Sequence, residues 1–144
     1  MKIQSILVVC VGNICRSPMA EYFLKQQFPQ LDIRSAGLSA LVGQHADPKA
    51  ILCMDQHQID MRAHIAKQIN TDEVKQADII FVMSQNQKNH IEQAWPFARG
   101  KVFRLGHWQN ENVADPYQHE QEFFNEICCR IQKFTLDWQS RLSV

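Results

Sequence analysis

What the 144-residue sequence lacks narrows its chemistry first. Its longest apolar run, Ile6 to Val11, is far short of the roughly 18 residues a membrane span requires, so no membrane insertion is expected. Charge of either sign is not in excess, since 15 Lys and Arg balance 15 Asp and Glu. A neutral chain has no electrostatic footprint for wrapping nucleic acid, so any anion it binds must be held in a local pocket. Cysteines are few: Cys10, Cys15, Cys53, Cys128 and Cys129 are too irregular for a disulfide framework and lack the paired spacing of a metal site. No metal and no cofactor is expected. Nor does a long apolar core with a small-residue cleavage site follow Lys2, which points to a cytoplasmic protein.

What is present is the composition of one globular domain spanning 1–144, with 45% hydrophobic and 21% charged residues, enough apolar content to exclude intrinsic disorder. Ser5 to Cys10 reads as a buried strand ended by Gly12. From Ser17 the pattern turns helical, with Ala20, Phe23, Leu24 and Phe28 on one face until Pro29. Leu31 to Ser35 alternates like a short strand, and a loop then runs from Ala36 to Asp47. Asp47-Pro48 is an N-cap and first-turn pair for a helix ending near Gln58. Asp78 to Met83 is a second apolar run of strand length, Ser84 caps a helix reaching about Trp95, and Lys101 to Leu105 is a further strand. The last helix is the clearest: Phe123, Ile127, Ile131, Phe134, Trp138 and Leu142 recur every three or four residues. Strands alternating with helices predict an α/β fold, a parallel sheet with helices on both faces, and ligands outside the carboxyl ends of its strands.

The loop at the end of the first strand is therefore the place to look. Cys10 and Arg16 are separated there by five residues, Val11, Gly12, Asn13, Ile14 and Cys15, with Ser17-Pro18 after. Gly12 and Asn13 tolerate positive φ, so the chain can curl until successive N–H groups face inward, with a helix N-terminus behind them. Such a cradle suits phosphate, and the planar fork of Arg16 can grip two of its oxygens. Inward N–H groups, the helix dipole and Arg16 all favour a Cys10 thiolate, an activated nucleophile, and the Ser17 hydroxyl can donate to its sulfur. A packing cysteine would not need these neighbours, and a nucleotide P-loop is excluded because its Gly-Lys-Ser/Thr ending is missing.

Cys10 to Ser17 resembles the Cys-x5-Arg-Ser signature of the low-molecular-weight protein tyrosine phosphatases. Ser35-Ala36-Gly37, His64-x-Ala66-x-Gln68 and Asp115-Pro116-Tyr117 follow in that family's order. Gly106-His107-Trp108 and Ala40 to Gly43 resemble its bacterial branch associated with capsule and exopolysaccharide export. The resemblance implies a four-stranded parallel sheet and a phosphocysteine enzyme acting on phosphotyrosine proteins, such as the cytosolic tail of a membrane-anchored tyrosine kinase of polysaccharide export. It also implies Asp115 as the general acid that protonates a phenolate leaving group, and His64 as a support for the phosphate loop through Asn13. Tyr117 would then form one wall for the substrate ring and Leu41 the other. Cys15 is close enough to Cys10 for a reversible disulfide, or else is an inert packing thiol. The sequence departs from the family at Arg62, Lys67, Ala114 and Gln118, none in the catalytic set. The alternative is a thiol-coupled arsenate reductase, which would need a mobile cysteine pair besides Cys10, whereas Cys53 stands alone and Cys128 and Cys129 fall within the last predicted helix.

Overall fold

The computed structural model describes residues 2–143. Its first apolar run forms β1 (Ser5–Cys10), an interior strand of a four-stranded parallel sheet. The other strands are β2 (Asp32–Gly37), β3 (Ile79–Val82) and β4 (Val102–Arg104), in the order β2-β1-β3-β4. An interior strand of a parallel sheet is covered on both faces, which is why Ile6 to Cys10 is uninterrupted by polar residues. Ile6, Val8 and Cys10 enter one core, against α1 (Arg16–Gln27), α2 (Pro48–Asp55) and α5 (Gln121–Gln139). Leu7 and Val9 enter the other, with Val74 of α3 (Thr71–Gln76) and Ile91 of α4 (Gln85–Ala94).

The helix ends follow local chemistry. Asp47 caps α2, its Oδ1 accepting from the Lys49 N–H at 2.9 Å, and Ser84 caps α4 through the Gln87 N–H at 3.2 Å. Helix α2 stops at Asp55 rather than near Gln58, which takes a left-handed φ of 58°. In α5 the residues Ile127, Ile131, Phe134 and Trp138 are buried, while Leu142 packs on the core from beyond the helix end. Helix α3 escapes a search for periodicity because Val74 is its one buried apolar residue; its signal is the cap, Asn70 Oδ1 accepting from the Glu73 N–H at 2.9 Å. Strand β2 runs past Ser35 to Gly37, which pairs with Cys10. A Cβ on Gly37 would lie 2.5 Å from the Val11 carbonyl oxygen, so only glycine lets the chain leaving β1 pass this close. Among the described residues no helix is long and apolar enough to cross a membrane.

Candidate active site

At the carboxyl end of β1 the chain curls through residues 10–16 before entering α1. Of the two residues expected to supply positive φ, Asn13 does, at 60°, and Gly12 does not. The left-handed backbone at Asn13 is held from every side. Its main-chain N–H donates to Cys10 Sγ at 3.3 Å and its carbonyl meets His64 Nε2 at 2.7 Å. Its side-chain Nδ2 donates to Ser17 Oγ at 2.8 Å and Ser35 Oγ at 3.0 Å, and its Oδ1 accepts from the Lys67 N–H at 3.0 Å. The side chain is wholly buried and all its polar atoms are satisfied, so the strained turn is fixed before any ligand arrives.

These bonds have a direction. Because Ser17 Oγ accepts from Asn13, its own hydrogen is free to point to Cys10 Sγ, 2.9 Å away. Ser35 Oγ likewise accepts from Asn13 and donates to Glu21 Oε1, a carboxylate buried in α1 and paired with Lys25 at 2.6 Å. The Cys10 sulfur thus lies among donors. The N–H groups of Gly12, Ile14 and Cys15 meet no acceptor among the described residues and form a cradle at the N-terminus of α1. Arg16 completes it: one guanidinium nitrogen donates to the Val113 carbonyl at 2.9 Å, another lies 3.5 Å from Asp115 Oδ2, and the buried Nε has no partner. A buried N–H without an acceptor is costly, and an oxyanion would satisfy it.

The cradle opens into a pocket of about 170 Å³ lined by residues 10–16, Ser39, Leu41, Asp115 and Tyr117. Leu41 and Tyr117 flank it, and Asp115, which accepts the Tyr117 N–H at 3.1 Å, stands at its mouth with half its side chain exposed. His64 is buried, and burial draws its imidazole below the ordinary histidine range, with the Asn13 carbonyl and Glu21 pulling the other way. Neutral His64 then donates from Nε2 to the Asn13 carbonyl. Cys15 stands at the N-cap position of α1 without a capping bond and lines the pocket as a free thiol, and burial, followed by the charge of Asp47, pushes its titration well up. Asp47 is occupied at its helix cap. Cys53 and Cys128 are buried in α2 and α5, Cys129 is exposed on α5, and none lines the pocket. Among the described residues no three His, Cys, Asp or Glu side chains are grouped to hold a metal ion.

Sequence reasoning missed Glu21, Ser35 as a hydroxyl relay, and Val113 as the anchor of Arg16. Glu21 had a signal, since it lies one helical turn after Ser17, on the face that turns inward. Val113 had none, because it acts through its carbonyl.

A parallel α/β sheet with a cysteine in an anion cradle and an arginine folded over it defines a class of enzyme built to handle phosphoryl groups. The family model described as low molecular weight phosphotyrosine protein phosphatase matches residues 5–143. The low molecular weight protein-tyrosine-phosphatase Ptp of Acinetobacter johnsonii is 61% identical over 142 residues, covering 99% of this chain and all of that one. The crystal structure of the Erwinia amylovora tyrosine phosphatase AmsI superposes with a TM-score of 0.95 at 37% identity, covering 99% of this chain and 95% of the other. Vibrio vulnificus Wzb in complex with benzylphosphonate superposes at 0.93 with 34% identity, over 97% and 99%. The chain belongs to the low molecular weight phosphotyrosine protein phosphatase family, and it is a protein-tyrosine phosphatase.

Proposed function

We propose that residues 1–144 work as one catalytic domain that hydrolyses protein phosphotyrosine through a phosphoenzyme on Cys10. The observation that carries this reading is the set of donors without acceptors, the loop N–H groups and Arg16 Nε, gathered around a sulfur that itself accepts from Asn13 and Ser17. The Cys10 thiolate attacks phosphorus as the bond to the phenolic oxygen breaks. Arg16 and the loop amides take the charge that builds on the equatorial oxygens. Asp115, protonated, gives its proton to the departing phenolate, then as carboxylate takes one from the water that attacks the phosphocysteine. Phosphate leaves and the thiolate is restored, with Ser17 donating to it. Leu41 and Tyr117 hold the aryl ring, and His64 holds the loop backbone.

The physiological substrate in this reading is the phosphotyrosine-bearing cytosolic tail of a membrane-anchored tyrosine kinase of polysaccharide export, met in the cytoplasm. Relatives that carry the names Wzb, EpsP and AmsI support it, together with the Gly106-His107-Trp108 and Ala40 to Gly43 segments. Arsenate reduction is disfavoured because Cys53 and Cys128 are buried between helices, away from the pocket. The kcat/KM of Asp115→Asn on two aryl phosphates tests the mechanism, because it reads the steps through loss of the phenol and not the later hydrolysis of a phosphocysteine common to both. The loss should be roughly 10²-fold for a phenol leaving group and should shrink for an acidic phenol, which departs without a proton. Equal losses would show that the proton comes from elsewhere.

A further inference from the structure

The turn that carries Asp115 and Tyr117 is closed by its own bonds. The Tyr117 N–H donates to Asp115 Oδ1, the His119 N–H donates to the Pro116 carbonyl at 2.9 Å, and Gln118 takes a left-handed φ of 66°. The upstream end of the turn is tied at Val113, whose N–H donates to the Met83 carbonyl at 2.7 Å and whose carbonyl accepts from Arg16, while the bonds within the turn leave its downstream end unplaced relative to Cys10. Besides the Arg16 to Asp115 ion pair at 3.5 Å, one side chain among the described residues reaches it with a hydrogen bond: Lys49, whose Nζ donates to the His119 carbonyl at 2.6 Å. An open cleft lined by Lys49, Gln118, His119, Glu120 and Phe123 runs beside this bond, so packing adds little support there.

Lys49 is itself well placed to act as a mooring. Its N–H is bound by Asp47, its carbonyl accepts from Gln121 Nε2 at 2.9 Å, and its ammonium lies 5.8 Å from the centroid of the Phe124 ring. The Asp47 N–H in turn donates to the Ile14 carbonyl at 2.9 Å, inside the phosphate loop. A continuous path therefore runs from the phosphate loop through Asp47 and Lys49 to the turn that bears Asp115.

We infer that Lys49 is a positioning residue, whose ammonium sets the separation between the Asp115 turn and the phosphate loop without touching the phosphoryl group. The inference rests on Asp115 being the general acid. Its consequence is specific: losing the ammonium should impair proton transfer to the leaving group and leave anion binding alone.

The test is steady-state turnover of phenyl phosphate and 4-nitrophenyl phosphate, with competitive inhibition by inorganic phosphate, for Lys49→Met, Lys49→Arg and Asp115→Asn. Methionine keeps an apolar stem over Phe124 and removes the donor. Misplacing a catalytic group by a fraction of an ångström should lower kcat/KM, which reads the leaving-group step alone, about three- to tenfold for phenyl phosphate. The loss should be under about twofold for the nitrophenyl ester, whose leaving group needs less protonation. The inhibition constant of phosphate should stay within about twofold, since the amides and Arg16 are untouched, and Lys49→Arg, which retains a charged donor, should recover most of the lost kcat/KM. Equal losses of kcat/KM on both esters, a weakened phosphate inhibition that accounts for the loss, or an unchanged kcat/KM would overturn the inference. If Asp115→Asn discriminates between the esters and Lys49→Met does not, Lys49 alone is misassigned. If Asp115→Asn fails to discriminate, the acid role falls and takes this inference with it.

Discussion

Replacing Asn13 by alanine or glycine separates two things this residue does: it tolerates a left-handed backbone and its side chain ties together three polar partners. At φ 60° a residue with a plain Cβ costs about 1 kcal/mol more than asparagine or glycine. Truncation also strands the half-buried Lys67 N–H and removes a donor from both Ser17 and Ser35, which are buried. At roughly 1 kcal/mol for each lost bond, with some relaxation, these contribute about 2 to 3 kcal/mol. Asn13→Ala should therefore lose about 3 to 4 kcal/mol, and Asn13→Gly, which recovers only the backbone part, about 2 to 3. Chemical denaturation at fixed pH reads both values. In turnover both variants should fall together, because each frees Ser17 Oγ from Asn13 and leaves its hydrogen no longer directed at Cys10. If alanine proved as stable as glycine here, the left-handed strain would be illusory. If both lost less than about 1 kcal/mol, the amide would not be the centre of the knot.

Arg16→Lys keeps the charge but cannot hold the Val113 carbonyl while also presenting two N–H groups to phosphate; kcat should fall by more than about tenfold with the Tm little changed, and near-normal kinetics would place Arg16 outside the reaction. Burial lowers the His64 titration in the folded chain, so the unfolded chain takes up that proton first as pH falls. Its contribution to stability is complete above the unfolded value of about 6.5 and is lost as pH drops through the depressed native value. Denaturation midpoints measured from pH 8 to pH 5 should show this loss, and His64→Asn should flatten it; a slope unaltered in that variant would assign the proton to another group.

The features legible from sequence are those whose cause is local. An interior strand covered on both faces needs an unbroken apolar run, and Ser5 to Cys10 supplies one. A cap needs its residue beside the helix it starts, as with Asp47 and Ser84. Cys10, Arg16 and Ser17 are legible because one turn of chain brings them together. Partners that meet across the fold leave no such trace. Ser35 and Asn13 are 22 residues apart, and Lys49 reaches His119 across 70. Where the acceptor is a carbonyl, as at Val113 and His119, the side chain of that residue carries no information about the contact at all.

The same distinction explains how a chain with no net charge can be built to hold a phosphate dianion. Arg16 is one positive group, and Asp115 stands 3.5 Å from it. The rest of the attraction must come from dipoles: N–H groups of residues 12, 14 and 15, and the first turn of α1. Dipoles attract only in the orientation that the backbone imposes, so their value here depends on the turn at Asn13. That turn is secured by groups from β2 and from the segments around His64 and Lys67, all of them buried or half-buried. A buried hydrogen-bond network of this kind contributes to binding what surface charge contributes elsewhere, and it is less sensitive to salt. Inhibition by inorganic phosphate should accordingly weaken only slightly between low and physiological ionic strength, whereas a site relying on exposed lysines would weaken steeply over the same range.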